Sequence, residues 1–534
     1  MKLAICQINP SVGDFDKNKI KILEYVEKSK ILNANIIVFP ELSLCGYPPM
    51  DLIWEKEFIE QNNKALNEIA SFANIPIILG CIRSEGNKVF NSAAICFENK
   101  LQKYYDKILL PNYDVFDEKR FFTSGLEPKT ISIPINGQIK KVGVQICEDL
   151  WDEHYSCKVS SEQKKMGAEL IINISASPFR ENKVDERKKL VSLKAKKIGL
   201  PFIYCNIVGG QDELIFDGSS FAVSKKGILL SEAVSFEEEL QIVDLDSSKR
   251  VKHLMASREE EIFKALCLGV KDYFSKTNHE KAIIGLSGGI DSALVASIAV
   301  NALGNKNVYG FSLPSKFSSA HSLRDAKELA VNLGIEYQVI KINSLVSSFH
   351  TTLKPNFKNQ RSDIAEENIQ SRIRGNLLMA LANTYGWLVL STGNKTEIAL
   401  GYCTLYGDMI GALSVIADLS KNDVYKLSNW INKNIQNYIP INSIIKPPSA
   451  ELSFNQVDPY DYSVVSPIVD DIIERDKSPS VLVNEGFEKK LVYDIYNKIK
   501  RSEYKRRQGP IGLRVTSKAF GIGRRYPIVS NYNV

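Results

Sequence analysis

The sequence predicts two consecutive α/β domains, residues 1–246 and 247–534, the first built on a mixed or layered sheet and the second on a largely parallel one. Three observations carry this. A chain of 534 residues is too long for one ordinary core. From Leu3 to Asp246 short apolar runs alternate with helical segments, and from Lys281 onward strand and helix patterns alternate again. Between them, Asp246 to Ser257 is polar and charged and leads into a long helical pattern from Glu259 to Phe274.

In the first half the apolar runs Leu3–Ile8, Ile36–Phe39, Ile77–Cys81, Val142–Ile146, Leu170–Ile174 and Phe202–Asn206 have the length and continuity of buried strands. Ser92–Phe97, Ser219–Ser224, Gly227–Leu230 and Leu240–Val243 read as further strands joined by hairpins. These argue for a mixed or layered sheet over a simple doubly wound one. In the second half the order is a strand from Lys281, a helix to Leu303, strand Val308–Leu313, helix Ser319–Leu333, strand Tyr337–Ile342, a long helix Asp363–Tyr385 and strand Leu388–Ser391. After about Lys446 prolines become frequent and the pattern reads mainly as loops.

Between the first strand and first helix of that second half lies Gly285-Leu286-Ser287-Gly288-Gly289-Ile290-Asp291-Ser292. A buried strand that breaks into adjacent glycines and then starts a helix aims several N–H groups at one spot, where the helix favours an anion. The run lacks the Gly-x-x-x-x-Gly-Lys-Ser/Thr pattern, so no lysine follows the glycines to reach a terminal phosphate. A plain helix-capping turn with Asp291 and Ser292 in its first turn is the alternative.

Hydrophobic residues make up 44% and charged residues 24%, an ordinary balance that leaves no long span for disorder. The net charge of +6 is interspersed with acids, which argues against nucleic acid as a partner. Nine cysteines without a Cys-x-x-Cys pair, and an N-terminus that runs straight into a strand, fit a reducing cytoplasm. No apolar run reaches the ~18 residues of a membrane span.

Three strand ends in the first half carry reactive groups: Phe39-Pro40-Glu41-Leu42, Tyr105-Asp106-Lys107-Ile108 and Ile146-Cys147-Glu148-Asp149. A catalytic thiol needs a base or a positive neighbour. Glu41 can take the Cys147 proton, and Lys107 can stabilise thiolate and oxyanion. The surrounding segments, Phe-Pro-Glu-Leu-Ser-Leu-Cys-Gly-Tyr, Asp-Lys-Ile-Leu-Leu-Pro-Asn-Tyr and Ile-Cys-Glu-Asp-Leu-Trp, closely resemble the three catalytic segments of the nitrilase (carbon–nitrogen hydrolase) family, in the same order. That resemblance spans about residues 1–245. It implies an α-β-β-α sandwich and amide hydrolysis through a thioester, with Glu41 as general base, Lys107 as oxyanion stabiliser and Cys147 as nucleophile. It also implies that Glu118 orients substrate or water, and that Tyr113, Glu148, Ser177 and Lys183 join it in a glutamine pocket. Ser177 and Lys183 equally read as a turn serine and an exposed lysine at a helix start.

The Ser-Gly-Gly-Ile-Asp-Ser loop resembles that of the ATP pyrophosphatases, whose Rossmann-like parallel α/β domain splits ATP between its α and β phosphates. Together with Asn-Leu-Leu-Met-Ala-Leu-Ala-Asn, Ser-Thr-Gly-Asn-Lys-Thr-Glu, Gly-Tyr-Cys-Thr-Leu-Tyr-Gly-Asp and Lys-Pro-Pro-Ser-Ala-Glu-Leu, it resembles the NAD⁺ synthetases, and behind a nitrilase-like domain their glutamine-dependent form. The resemblance implies that residues 285–292, Thr392 and Lys421 contact ATP, and that Asp291 and Glu397 hold Mg²⁺. It further implies that Asn368, Arg372, Glu397, Tyr402, Asp408 and Lys518 line the deamido-NAD⁺ side. Asn368 and Arg372, four apart, share a helix face; Ser391 to Glu397 alternatively reads as a helix N-cap. One segment departs from the family pattern: Ser453-Phe454-Asn455-Gln456 and Asp461-Tyr462-Ser463-Val464-Val465-Ser466-Pro467 replace an Arg-Pro-Asn-Gln run and an Asp-Ser-Leu-Pro-Pro-Tyr run.

The implied reaction is ATP-dependent amidation of deamido-NAD⁺ with ammonia from L-glutamine, through a glutamyl thioester and an adenylate, in a homo-oligomer. Rivals are another ATP-dependent amidotransferase, a tRNA-thiolating enzyme, which would want paired cysteines near the loop, and a nucleotide sensor with an inactive amidase domain.

Overall fold

A computed structural model describes residues 1–135, 137–247, 251, 256–357 and 363–532. They divide into two compact units, Met1–Gln211 with Ile215–Ala256, and Asp212–Leu214 with Ser257–Val534.

The strands of the first unit, in chain order, are β1 (Lys2–Gln7), β2 (Ile36–Val38), β3 (Ile77–Glu85), β4 (Lys88–Phe97), β5 (Lys100–Asp106), β6 (Thr130–Ile135), β7 (Gln138–Ile146), β8 (Leu170–Ser175), β9 (Phe202–Asn206), β10 (Val208–Gln211), β11 (Leu214–Asp217), β12 (Phe221–Val223), β13 (Leu229–Glu232) and β14 (Glu239–Asp244). Among the described residues they form two six-stranded mixed sheets, β14-β1-β2-β3-β4-β5 and β13-β12-β9-β8-β7-β6, and the pair β10-β11. In each six-stranded sheet a parallel centre, β1-β2-β3 or β7-β8-β9, is flanked by antiparallel strands.

Strand periodicity explains why the two sheets stack. Leu3 and Ile5 of β1, Ile36 and Val38 of β2, and Val144 and Ile146 of β7 point into one shared core with Ile172, Ile174 and Ile203. The opposite faces are also buried, under helices Phe15–Ile31 and Lys56–Ala70 on one side and Val159–Lys165 and Lys183–Ile198 on the other. Burial on both faces is why these strands read as unbroken apolar runs. The result is the expected α-β-β-α sandwich.

The second unit is one parallel sheet, β15 (Ala282–Gly285), β16 (Val308–Ser312), β17 (Glu336–Val339), β18 (Leu388–Ser391), β19 (Leu413–Ser414) and β20 (Ile511–Gly512), in the order β17-β16-β15-β18-β19-β20. The order reverses at β15, so the crevice at its C-terminal end is where a doubly wound sheet offers a ligand site. Helices Arg258–Lys276, Ile290–Leu303 and Lys421–Asn434 pack together, and Asp363–Tyr385 packs beside Asn343–Leu353.

After Lys446 the structure is more helical than its prolines suggest. Helices Tyr462–Glu474, Pro479–Asn484 and Lys489–Arg501 bury Val465, Ile468, Val469, Ile472, Leu482, Val492, Ile495 and Ile499 in one core with Ala399 and Leu400. The spacing 465, 468, 469, 472 is helical; Pro467 within the first helix disguises it.

Candidate functional sites

In the first unit the chain brings Glu41, Lys107, Glu118 and Cys147 together at the ends of β2, β5 and β7. Lys107 Nζ, 1% exposed, donates to Glu41 Oε1 at 2.7 Å and to the Glu118 carboxylate at 2.8 Å. Asn91 Nδ2 donates to the same Glu41 oxygen at 2.7 Å, and Ala176 N–H to Oε2 at 2.7 Å. Tyr47 OH donates to Glu118 at 3.0 Å. The Glu41 loop lies so close to β3 that a Cβ on Gly80 would sit 2.1 Å from Leu42 N.

Cys147 follows β7 directly, in a left-handed conformation (φ +41°) that its side chain ordinarily avoids. Asp149 holds that turn: its oxygens accept from Ile146, Ile108 and Leu109 N–H and from Tyr105 OH at 2.9–3.1 Å. One carboxylate thus joins the cysteine turn to the residues beside Lys107.

The electrostatics follow from burial. It pushes the Cys147 thiol well up, Glu41 adds to this and Lys107 opposes it, so the group rests as Sγ–H. It pushes Glu118 up to about 7 against the pull of Lys107. Burial alone would lower Lys107, but Glu118 and Glu41 more than offset it and hold the ammonium charged.

Around this cluster, Glu148 accepts from Tyr113 OH (2.9 Å) and Tyr155 OH (3.0 Å). Lys183 Nζ lies 3.9 Å from the centre of the Trp151 ring, and burial, helped by Arg187 and Arg180, brings it down to about 8. Lys183 is the first residue of its helix, yet only 19% exposed, and Ser177 is buried, so neither is a plain surface residue.

In the second unit the glycine run forms the turn from β15 into helix Ile290–Leu303. Gly288 has φ +80°, and a Cβ there would lie 2.2 Å from Ser322 O, so only glycine fits. Ser287 Oγ accepts from Gly289 N–H (3.2 Å) and lies 3.2 Å from Ser292 Oγ; Ser443 Oγ donates to Gly288 O at 2.9 Å. Beside it Lys421 Nζ, 2% exposed, bridges Asp291 Oδ2 (2.5 Å) and Glu397 Oε1 (3.1 Å). Asn394 Nδ2 donates to Asp291 Oδ1 at 2.8 Å. Asn394 also caps helix Lys395–Leu400 in a capping box with Glu397, as the N-cap reading of this segment expects. Burial raises Glu397 to about 7 against Lys421.

Lys421 Nζ lies 5.4 Å from the centre of the Tyr462 ring, Tyr462 OH donates to Asp458, and Tyr402 OH donates to the same carboxylate at 3.1 Å. Asn368 Oδ1 accepts from Thr404 Oγ1 (2.7 Å) and Arg372 Nε donates to Leu405 O (3.2 Å), so their shared helix face meets the 402–408 segment. Burial raises Asp408, in that segment, to about 6 against the Thr404 N–H it accepts. Thr392 follows β18 directly and is half-buried. Lys518 is held by Asp476 at 2.5 Å, a contact outside this chain of groups.

Sequence reasoning passed over Asn91, Asp149, Arg187, Asn394 and Asp458. Asn394 and Asp149 stood inside motifs already noted; Asn91 and Arg187 carry no local signal, because their partners are remote in sequence, and Asp458 joins Tyr462 to the distant Tyr402. Among the described residues no group of three or more His, Cys, Asp or Glu could hold a metal. The two carboxylates converging on Lys421 are hard oxygen donors that suit Mg²⁺ bound with substrate phosphates.

The chain matches the carbon–nitrogen hydrolase family over residues 2–252 and the NAD synthase family over residues 262–509. It is 42% identical to a glutamine-dependent NAD(+) synthetase of Synechocystis, over 99% of both chains. It is 40% identical to one of Thermotoga maritima, over 100% of this chain and 99% of that one. Among solved structures, the glutamine-dependent NAD+ synthetase of Acinetobacter baumannii in complex with ADP is similar at 38% identity and TM-score 0.79, covering 99% of this chain and 98% of that one.

Proposed function

This chain belongs to the glutamine-dependent NAD(+) synthetases, and from that premise we propose how its residues divide the reaction. In the first unit Cys147 Sγ attacks the side-chain amide carbon of L-glutamine while its proton passes to Glu41. Lys107 Nζ, held charged by two carboxylates, stabilises the oxyanion. Glu41 returns the proton to the departing nitrogen, ammonia leaves, and water, oriented by Glu118, hydrolyses the γ-glutamyl thioester to glutamate. Cationic Lys183 and the Ser177 hydroxyl take the substrate α-carboxylate; Glu148, steadied by Tyr113 and Tyr155, takes the α-ammonium.

In the second unit the nicotinate carboxylate of deamido-NAD⁺ attacks the α-phosphorus of ATP, pyrophosphate leaves, and ammonia attacks the resulting adenylate to give NAD⁺ and AMP. Residues 285–292 cradle the pyrophosphate, Thr392 and Lys421 contact ATP, and Asn368, Arg372, Tyr402, Asp408 and Lys518 face the dinucleotide. Asp291 and Glu397 would hold Mg²⁺, which supplies charge neutralisation for the departing pyrophosphate. The reading includes a homo-oligomer in the cytoplasm. All nine cysteines are free, as a reducing compartment keeps them, and no helix of the described residues is long and apolar enough to cross a membrane.

The observation that carries this reading is the buried contact of Lys107 with Glu41 and Glu118 beside Cys147, on the same chain as the Gly288 turn with Asp291, Lys421 and Glu397. The test is NAD⁺ formation from deamido-NAD⁺, ATP and Mg²⁺, with glutamine or ammonium, for wild type and Cys147→Ala. The variant should lose the glutamine-driven reaction and keep the ammonium-driven one. Loss of both, or of neither, refutes the division of labour.

A further inference from the structure

Arg187 is wholly buried in helix Lys183–Ile198, one turn after Lys183, and each of its three guanidinium nitrogens donates. Nη1 donates to both Asp217 oxygens at 2.9 and 2.7 Å. Nη2 donates to Ser177 O at 2.9 Å and Pro178 O at 3.0 Å. Nε donates to Ser177 Oγ at 3.2 Å. A buried ion pair is weak evidence for stability, because desolvation offsets its attraction. What this fork does achieve is orientation.

Three of its five bonds end on Ser177 and Pro178. Asn206 fixes the same turn from the other side, accepting from Ser177 N–H at 2.9 Å and donating to Ser177 O at 3.2 Å. The neighbouring Ala176 N–H is the one that holds Glu41. Since Arg187 Nε makes Ser177 Oγ an acceptor, the hydroxyl proton is left to donate elsewhere. With Ser177 and Lys183 read as parts of one pocket, a hydroxyl donor and a cation together suit an anionic group better than a neutral amide.

We propose that Arg187 is a positioning residue that sets Ser177 as a hydrogen-bond donor toward the α-carboxylate of glutamine, and so makes the first site demand a free carboxylate. The inference rests on the reading of Ser177 and Lys183 as the carboxylate end of the pocket. The full chain is assayed for amide hydrolysis with L-glutamine and with its α-carboxamide, whose carboxylate is replaced by a neutral amide, and the ratio of the two kcat/KM values is taken. That ratio is independent of the fraction of protein folded.

Wild type is expected to prefer glutamine by at least about a hundredfold, since the analogue forfeits a charge-assisted hydrogen bond and an ion pair. Arg187→Lys, which keeps the charge but loses the planar fork, should lower the ratio about tenfold, mainly through KM for glutamine. Ser177→Ala should lower it to the same extent, and the double variant no further. If Arg187→Lys slows both substrates equally, Arg187 serves structure alone and the inference falls while the pocket stands. If wild type does not discriminate, the pocket reading falls and the inference with it. Should Arg187→Lys not fold, Ser177→Ala decides: an unchanged ratio there overturns the proposal.

Discussion

Replacing Lys421 with methionine removes the ammonium between Asp291 and Glu397 while keeping the bulk of the side chain. Lys421 is 2% exposed and lies 2.5 and 3.1 Å from its two partners, each 18% exposed. Breaking a buried pair by deleting one partner costs about 3–5 kcal/mol, because the charge left behind is uncompensated. Here two carboxylates are left facing each other, and Glu397, already raised to about 7, would be driven further toward its neutral form. For a unit of this size each kcal/mol moves the melting temperature by about 2–4 °C, so the transition of the second unit should fall by about 6–20 °C. A divalent cation is the natural replacement. At a hundred times its dissociation constant it would return about 2.7 kcal/mol, or roughly 5–11 °C. Differential scanning calorimetry with and without Mg²⁺, in the absence of nucleotide, reads both effects. A variant that melts with wild type, or an Mg²⁺ shift equal in the two proteins, would refute the view of Lys421 as the cation that satisfies this pair.

Gly288→Ala should abolish NAD⁺ formation with either nitrogen donor and leave glutamine hydrolysis at the first site, because a Cβ at φ +80° would lie 2.2 Å from Ser322 O in the second unit; glutamate release measured beside NAD⁺ formation checks this. Lys183, lowered by burial to about 8, is charged below that pH and neutral above it. KM for glutamine should therefore rise as pH increases through about 8, while KM for deamido-NAD⁺ in the ammonium-driven reaction does not follow. The stability sign is opposite: between about 8 and 10.5 the unfolded chain holds the Lys183 proton that the folded chain has released, so this group makes stability rise with pH in that window. Cys147→Ala, as above, should separate the two nitrogen donors.

Strands buried on both faces left unmistakable apolar runs, which is why β1, β8, β9 and β18 lie within a residue of where the sequence places them. The edges were harder. The isoleucines of β6 alternate with Ser132 and Pro134 and so form no apolar run, β20 is only two residues long, and the helices after Lys446 hid behind Pro467. At the sites, residues whose chemistry is local were readable: a thiol after a strand, a glycine pair before a helix. Residues that act through distant partners were not. Asp149 makes sense only once Ile108 and Leu109 arrive from another strand end, and Arg187 only once Asp217 and Ser177 close around it.

The two sites use one device to different ends. In each, a buried lysine lies between two carboxylates, and one carboxylate of each pair, Glu118 or Glu397, is raised to about 7 by burial. Their access to solvent differs. Glu41 and Glu118 are 0% and 4% exposed, so a hydrated cation has little access to them, and the Lys107 charge is kept for oxyanion work. Asp291 and Glu397 keep 18% each, enough for a cation to reach them. Lys107→Met should therefore destabilise the first unit by a similar 3–5 kcal/mol, and no concentration of Mg²⁺ should restore it, in contrast to Lys421→Met. Recovery of the Lys107 variant by Mg²⁺ would show that exposure of the carboxylates does not separate the two sites, and would remove the basis for assigning the metal to the second.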